Sequence, residues 1–242
     1  MAGKLYVFNV CRSIKEIIVK KFKFSEEYFL PYVDNPLRIK SYEEQLAWLE
    51  DFLNLEGSKV LDYGCGIGLL MSEIERRGGK VFGCDISEFA VSECKKKGLK
   101  AELVEKIEWS ESGNYDLIIL RGVFQHLWAP NITISNCFAQ LRQGGLIAIL
   151  STPNIESVYY RRFGELPTLS KHLAVTLPSK CTIFHCLEVN GFEVISHRFP
   201  YLKSNYAHPL FDVLKFILRL AGLPTQGHAF PGNVIDVVGR KC

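Results

Sequence analysis

The chain has 242 residues, 48% of them hydrophobic and 23% charged, an ordinary balance for one large soluble α/β domain. Its 29 basic and 26 acidic residues leave a formal charge of +3, too even a balance to argue for nucleic acid as a partner. No apolar run is long enough to span a bilayer, and the longest candidate, Pro209 to Leu220, is interrupted by Asp212, Lys215 and Arg219.

Residues 1–55 read as helical and precede every predicted strand. Lys4, Arg12, Lys15, Glu16, Lys20, Lys21 and Lys23 break up the first segment, so it does not read as a signal peptide. Within 41–53, Leu46, Leu49, Phe52 and Leu53 fall on one helical stripe. A strand is predicted over Lys59–Tyr63, then a helix over 67–77 ended by Gly78 and Gly79. Lys80–Cys84 reads as a second strand running into Asp85. Ser87 is placed to cap the next helix, whose closing Lys95, Lys96 and Lys97 suit a helix C-terminus. Further strands are predicted over 100–105, Tyr115–Leu120, Leu146–Ser151, Phe192–Arg198 and Val234–Gly239, with helices over 131–142 and 179–190.

Strands alternating with helices imply a mostly parallel, seven-stranded sheet covered on both faces. The expected organisation is a helical cap over 1–55 followed by a sheet domain over 56–242. Two connections, 152–178 and 200–232, exceed the usual length and suggest lids or binding loops. For 200–232, core or lid packing is expected, with a dimer contact or a lipid-facing patch as the other readings. None of the eight cysteines forms a C-x-x-C pair, so they read as reduced thiols of a cytoplasmic protein rather than zinc ligands.

The informative segment is VLDYGCGIG, residues 60–68. A strand enters a turn of Gly64, Cys65 and Gly66, where the backbone must bend tightly and admit a ligand closely. The spacing is G-x-G-x-G and position 69 is Leu, so the dinucleotide pattern G-x-G-x-x-G is absent. Asp62, just before the glycines, is poorly placed beside a pyrophosphate and suits a ligand with a cationic end. Asp85 closes the second strand, where a carboxylate can accept hydrogen bonds from both hydroxyls of a ribose, with Ile86 available to an adenine ring.

These segments resemble class I methyltransferases that use S-adenosylmethionine. VLDYGCGIG resembles their first motif and VFGCDIS their second. YDLIILRGVFQHL, LRQGGLIAILSTPN and HLAVTLPSKCTIFHCLEVNGFEVI resemble the later motifs in the right order, and the likeness spans about residues 30–200. The nearest branch is that of the ubiquinone-biosynthesis O-methyltransferases. The resemblance implies a Rossmann-like fold and S-adenosylmethionine as cofactor, with S-adenosylhomocysteine as product. It further implies that Arg38, in an Asn-Pro-Leu-Arg segment, pairs with the cofactor carboxylate. Arg121 matches a backbone contact to the methionine part, and Lys106 and Ile107 match the adenine edge.

His126, on the exit from the fourth strand, is the candidate general base for an oxygen or nitrogen acceptor. A structural histidine bonding nearby backbone is the other reading. The ubiquinone branch has E-x-x-E-H at this point, whereas this chain has Gly122 to His126 without either carboxylate, so metal-independent transfer is expected. His172, in the 152–178 connection beside Tyr159, Tyr160, Arg161 and Arg162, is a second catalytic candidate, or else part of a solvated basic turn. The expected partner is a small-molecule acceptor, with no nucleic acid, no transmembrane segment and a homodimer possible. A non-catalytic cofactor-binding module and a nicotinamide-dependent oxidoreductase are the alternatives.

Overall fold

A computed structural model describes residues 24–32, 35–107, 114–166, 169, 174–204, 207–225 and 229–242. Among them the chain forms, in order, α1 (Glu26–Phe29), α2 (Pro36–Leu49), β1 (Lys59–Tyr63), α3 (Leu69–Arg76), β2 (Lys80–Asp85), α4 (Glu88–Lys96) and β3 (Ala101–Leu103). There follow β4 (Tyr115–Arg121), α5 (Pro130–Gln140), β5 (Leu141–Pro153), α6 (Val158–Phe163), α7 (Lys180–Glu188), β6 (Phe192–Arg198), α8 (Pro209–Leu220) and β7 (Val234–Lys241).

The strands make a seven-stranded sheet in the order β3-β2-β1-β4-β5-β7-β6. The first five run parallel, and β7 pairs antiparallel with both β5 and β6. Alternation along each central strand divides the core. Val60, Leu117, Ile119, Leu146 and Ala148 face one buried layer with Leu46, Met71 and Ile74. Leu61, Ile118, Leu120, Ile147 and Ile149 face the other with Ile134, Ile183 and Leu187. Both faces are therefore dry, which is why these strands read as continuous apolar runs. Each such fully buried side chain contributes roughly 1.5–3 kcal/mol.

Boundaries moved where local chemistry overrode the periodic pattern. The glycine turn runs on to Gly68, whose left-handed φ of 79° caps α3, so this helix begins at Leu69 rather than residue 67. The third strand closes early into a tight turn over Val104–Lys106. β5 starts at Leu141, five residues before its predicted start, because Leu141 pairs with Tyr115 across a register shift.

Helix α2 starts as its sequence suggests. The Asn35 side chain accepts from the N–H groups of Leu37 (3.1 Å) and Arg38 (3.3 Å), with Pro36 in the first turn. Tyr42, Leu46 and Leu49 then join the same buried layer as β1 and α3. The helix is also pinned by a polar network. Gln45 donates to Ser151 Oγ (2.9 Å) and to Asp236 Oδ1 (3.3 Å). Asp236, fully buried, also accepts from Ser151 N–H (2.8 Å) and from Arg198 Nε (3.1 Å). Arg198 in turn forks onto Glu44 at 2.6 and 2.8 Å. Ser151 sits at φ 51°, a left-handed conformation unusual for a residue other than glycine, where the β5–β7 register shifts. Its bonds with Gln45 and Asp236 hold it there.

The 200–232 connection corrects the packing expectation. The apolar side of α8 faces outward: Leu210 is 87% exposed and Phe211 66%, whereas Asp212 is buried. No described helix is long and apolar enough to cross a membrane.

Candidate active site

The C-terminal ends of β1, β2 and β4 surround one cavity, and α1 and α2 wall it. Its base is the turn after β1. Gly64 N–H and Cys65 N–H both donate to Cys84 O on β2, at 2.7 and 3.0 Å, and Gly66 N–H donates to Asp85 Oδ2 at 2.9 Å. The second Asp85 oxygen accepts from Ser87 N–H at 2.9 Å. The carboxylate is thus oriented by backbone on both oxygens and borders the cavity. Burial raises its pKa, and the N–H donors of Ser87, Gly66 and Ile86 oppose that rise.

Gly64 has φ 83°, and a Cβ there would lie 2.3 Å from Val123 Cγ2. Side chain and backbone both forbid a substituent. Gly64→Ala is expected to lower stability by about 1–3 kcal/mol in urea unfolding. A change within about 0.5 kcal/mol, the range of neutral surface substitutions, would show that the turn relaxes.

Asp62 lies beside the turn, 2% exposed, and its Oδ2 has no hydrogen-bond partner among the described residues. Desolvation raises its pKa to about 7; Arg121 pulls it down and Asp85 pushes it up. A buried carboxylate oxygen without a donor is costly unless a ligand supplies one. Arg121, leaving β4, donates from Nε to Gln45 Oε1 (2.6 Å) and from Nη2 to Ser41 Oγ (3.2 Å), and its guanidinium lies 4.3 Å from the centroid of the Tyr42 ring. Arg38 donates from Nε to Tyr42 Oη at 2.6 Å. Two arginines and two carboxylates therefore share one cavity. That arrangement fits a zwitterionic amino-acid end, its ammonium toward Asp62 and its carboxylate toward the arginines.

Of the residues singled out in the sequence, Arg38, Asp62, Gly64, Cys65, Gly66, Asp85, Ile86, Arg121 and His126 line this cavity. Lys106 and Ile107 are not among its lining residues, whereas Val104 is. The tight turn at 104–106 brings Val104 forward, and Ile107 packs against the second core layer. His172 lies outside the described residues. His126 packs edge-on against Phe24, centroids 5.9 Å apart, and its Nε2 is 3.1 Å from Gln125 Nε2. Among the described residues, no cluster of three or more His, Cys, Asp or Glu side chains is placed to hold a metal ion.

Sequence reading missed Phe24, Tyr28 and Phe29, which form an aromatic wall from α1. It also missed Ser41, Tyr42 and Gln45. These three follow Arg38 at helical spacing, and that polar stripe beside the apolar one was the available signal.

A family profile described as a methyltransferase domain matches residues 38–197. A ubiquinone biosynthesis O-methyltransferase of Bordetella avium is 29% identical over 132 residues, which are 50% of this chain and 52% of that protein. Another, from Dechloromonas aromatica, is 33% identical over 135 residues, 52% of this chain and 55% of that one. The chain spans about half the length of the curated relatives it matches. A magnesium protoporphyrin IX methyltransferase from Synechocystis, solved with bound S-adenosylmethionine, superposes with a TM-score of 0.61 at 18% identity, covering 94% of this chain and 97% of the other. At that identity the likeness is one of fold. With two thirds of its length inside the domain profile, the chain belongs to the methyltransferase-domain family.

Proposed function

We propose that this protein transfers a methyl group from S-adenosylmethionine to an oxygen or nitrogen of a small-molecule acceptor, without a metal. The observation that carries this reading is the shared cavity of Asp62, Asp85, Arg38 and Arg121 around the glycine turn. The orphaned Asp62 oxygen would receive the cofactor's ammonium, and the arginines its carboxylate. Asp85 would accept from the ribose hydroxyls, and Ile86, 44% exposed, would lie against the adenine. Gly64 and Gly66 let the backbone approach closely. When bound, the cofactor supplies a methyl group already activated on a sulfonium, so the protein's main task is alignment.

His126 would take the acceptor's proton. Gln125 donates to Gly122 O (2.9 Å) with the amide nitrogen that also lies 3.1 Å from His126 Nε2, and release of that contact would leave the ring nitrogen to the acceptor's proton. A neutral imidazole is the form a general base requires. The names of the curated relatives support an oxygen acceptor. Lack of the paired carboxylates between Gly122 and His126 supports metal independence.

The experiment is calorimetric titration with S-adenosylmethionine, S-adenosylhomocysteine and NAD, followed by transfer of a labelled methyl group to phenolic acceptors with and without EDTA. Binding of the two adenosyl ligands but not NAD, and transfer indifferent to EDTA, is expected. Tight NAD binding alone would refute the cofactor assignment, and transfer lost to EDTA and restored by magnesium would refute metal independence.

A further inference from the structure

Helix α8 is amphipathic with its sides reversed. At 3.6 residues per turn, Leu210, Val213, Leu214, Ile217 and Leu218 fall on one stripe, with Phe211 beside it. That stripe faces away from the protein. Leu210 is 87% exposed, Val213 54%, Leu214 50% and Ile217 55%. The polar side faces inward. Asp212 accepts from Tyr201 Oη (2.9 Å) and His208 N–H (2.8 Å). Arg219 donates to Tyr159 Oη (2.8 Å) and pairs with Glu165. Phe216 stacks on Phe230, with centroids 4.7 Å apart. The helix is therefore anchored through its few polar groups and one ring, and it presents an apolar ridge roughly 18 Å long. Leu202 (79% exposed) and Leu223 (51% exposed) extend the apolar surface at either end.

We propose that this ridge docks on an anionic lipid bilayer, with α8 lying flat in the interface. The charge around the ridge selects this occupant. Arg161 and Arg162 are exposed on α6, which packs against α8 through Tyr159 and Phe163, whereas Lys203 is paired with Glu44 at 4.0 Å. Asp212 and Glu165 are already engaged, the first within the protein and the second on Arg219. An apolar ridge flanked by surplus cations complements acyl chains beneath anionic headgroups. A symmetric pairing of two copies would set the same cations against each other. It would also offer no hydrogen-bonding side chain on the ridge itself, where protein interfaces carry several bonds.

Topology gives the docking a consequence. α8 lies in the connection between the end of β6 and the start of β7, and Val234 at that start pairs with Pro153 at the end of β5. The ridge is thus on the same sheet edge as the cofactor cavity, so the face toward the lipid is also the face from which an acceptor enters. That corollary rests on the methyl-transfer reading, whereas docking itself does not.

The test is flotation of the full chain with vesicles of phosphatidylcholine alone or mixed with phosphatidylglycerol. Leu210→Glu, Ile217→Glu and the pair Arg161→Glu with Arg162→Glu serve as variants, and S-adenosylhomocysteine titration with circular dichroism checks folding. The wild-type chain floats with the mixed vesicles, less with phosphatidylcholine alone, and less as salt rises. Each glutamate on the ridge weakens partitioning by roughly tenfold or more while cofactor binding is retained. Failure to float, flotation unchanged by the variants, or a sedimenting dimer dispersed by the same variants in a chain that does not float would overturn the proposal. Because cofactor titration is read separately, loss of docking and loss of the methyltransferase reading are distinguishable.

Discussion

Replacing Asp85 with alanine abolishes S-adenosylhomocysteine binding on a calorimetric scale, an affinity loss of roughly a hundredfold or more. Two effects combine. A carboxylate held by Gly66 N–H and Ser87 N–H keeps lone pairs for two ribose hydroxyls, and hydrogen bonds to a charged group contribute about 1.5–3 kcal/mol each. Losing both corresponds to about 3–6 kcal/mol, or two to four orders of magnitude in affinity. Alanine also frees Gly66 N–H, which otherwise ties the turn to β2. Asp85→Asn separates the contributions, since it keeps the shape and one acceptor oxygen while removing the charge, and it is expected to bind with intermediate affinity. Thermal melts by circular dichroism show whether either variant remains folded. A folded alanine variant that binds within threefold of wild type would remove Asp85 from the cofactor site.

Affinity for S-adenosylhomocysteine is expected to fall about tenfold per pH unit below pH 7, because the buried Asp62 must ionise to receive an ammonium. Burial raises the Asp62 pKa to about 7, from 3.8. The sign for stability is opposite. The folded chain holds this proton to higher pH than the unfolded chain, so Asp62 costs nothing below about pH 4. The cost grows as pH rises to 7 and is fully present above it, at ~4 kcal/mol. A bound ammonium offsets this cost, which couples cofactor affinity to the same titration. Asp62→Asn is therefore expected to flatten the affinity profile at a low value. It also removes the part of the ligand-free chain's urea stability that declines between about pH 4 and 7. Titration calorimetry between about pH 5.5 and 8.5 checks the affinity, and urea unfolding of the ligand-free chain between about pH 4 and 8 checks the stability. A wild-type affinity constant across that range contradicts a ligand ammonium on Asp62.

Much of the cofactor half of the site was legible along the chain. Asp62, Gly64, Gly66 and Asp85 sit where a strand meets a turn, so their relative placement follows from local geometry and from the pairing of two neighbouring parallel strands. Arg38 and Arg121 could be named, but not what holds Arg121. The Arg38–Tyr42 bond spans one helical turn, whereas the Arg121–Gln45 bond joins a helix before the sheet to the exit of its fourth strand, and a contact over 76 residues leaves no periodic trace. Asp236 left a faint one, a lone carboxylate in the apolar run Val234–Val238. Its partners Ser151, Gln45 and Arg198 come from three separate elements, so nothing local announces them.

The sequence by itself determined the alternation of strands and helices, the two-faced burial of the central strands and the glycine turn between two carboxylates. All of these follow from side-chain period, backbone freedom and short-range connection. The tertiary structure alone decided the antiparallel course of β7 and the outward face of α8. Hydrophobic period specifies that a helix has an apolar side, but which side meets the protein is settled by its anchors. For α8 those anchors are Asp212 on Tyr201 and Arg219 on Tyr159, two polar contacts that turn the leucines toward the outside.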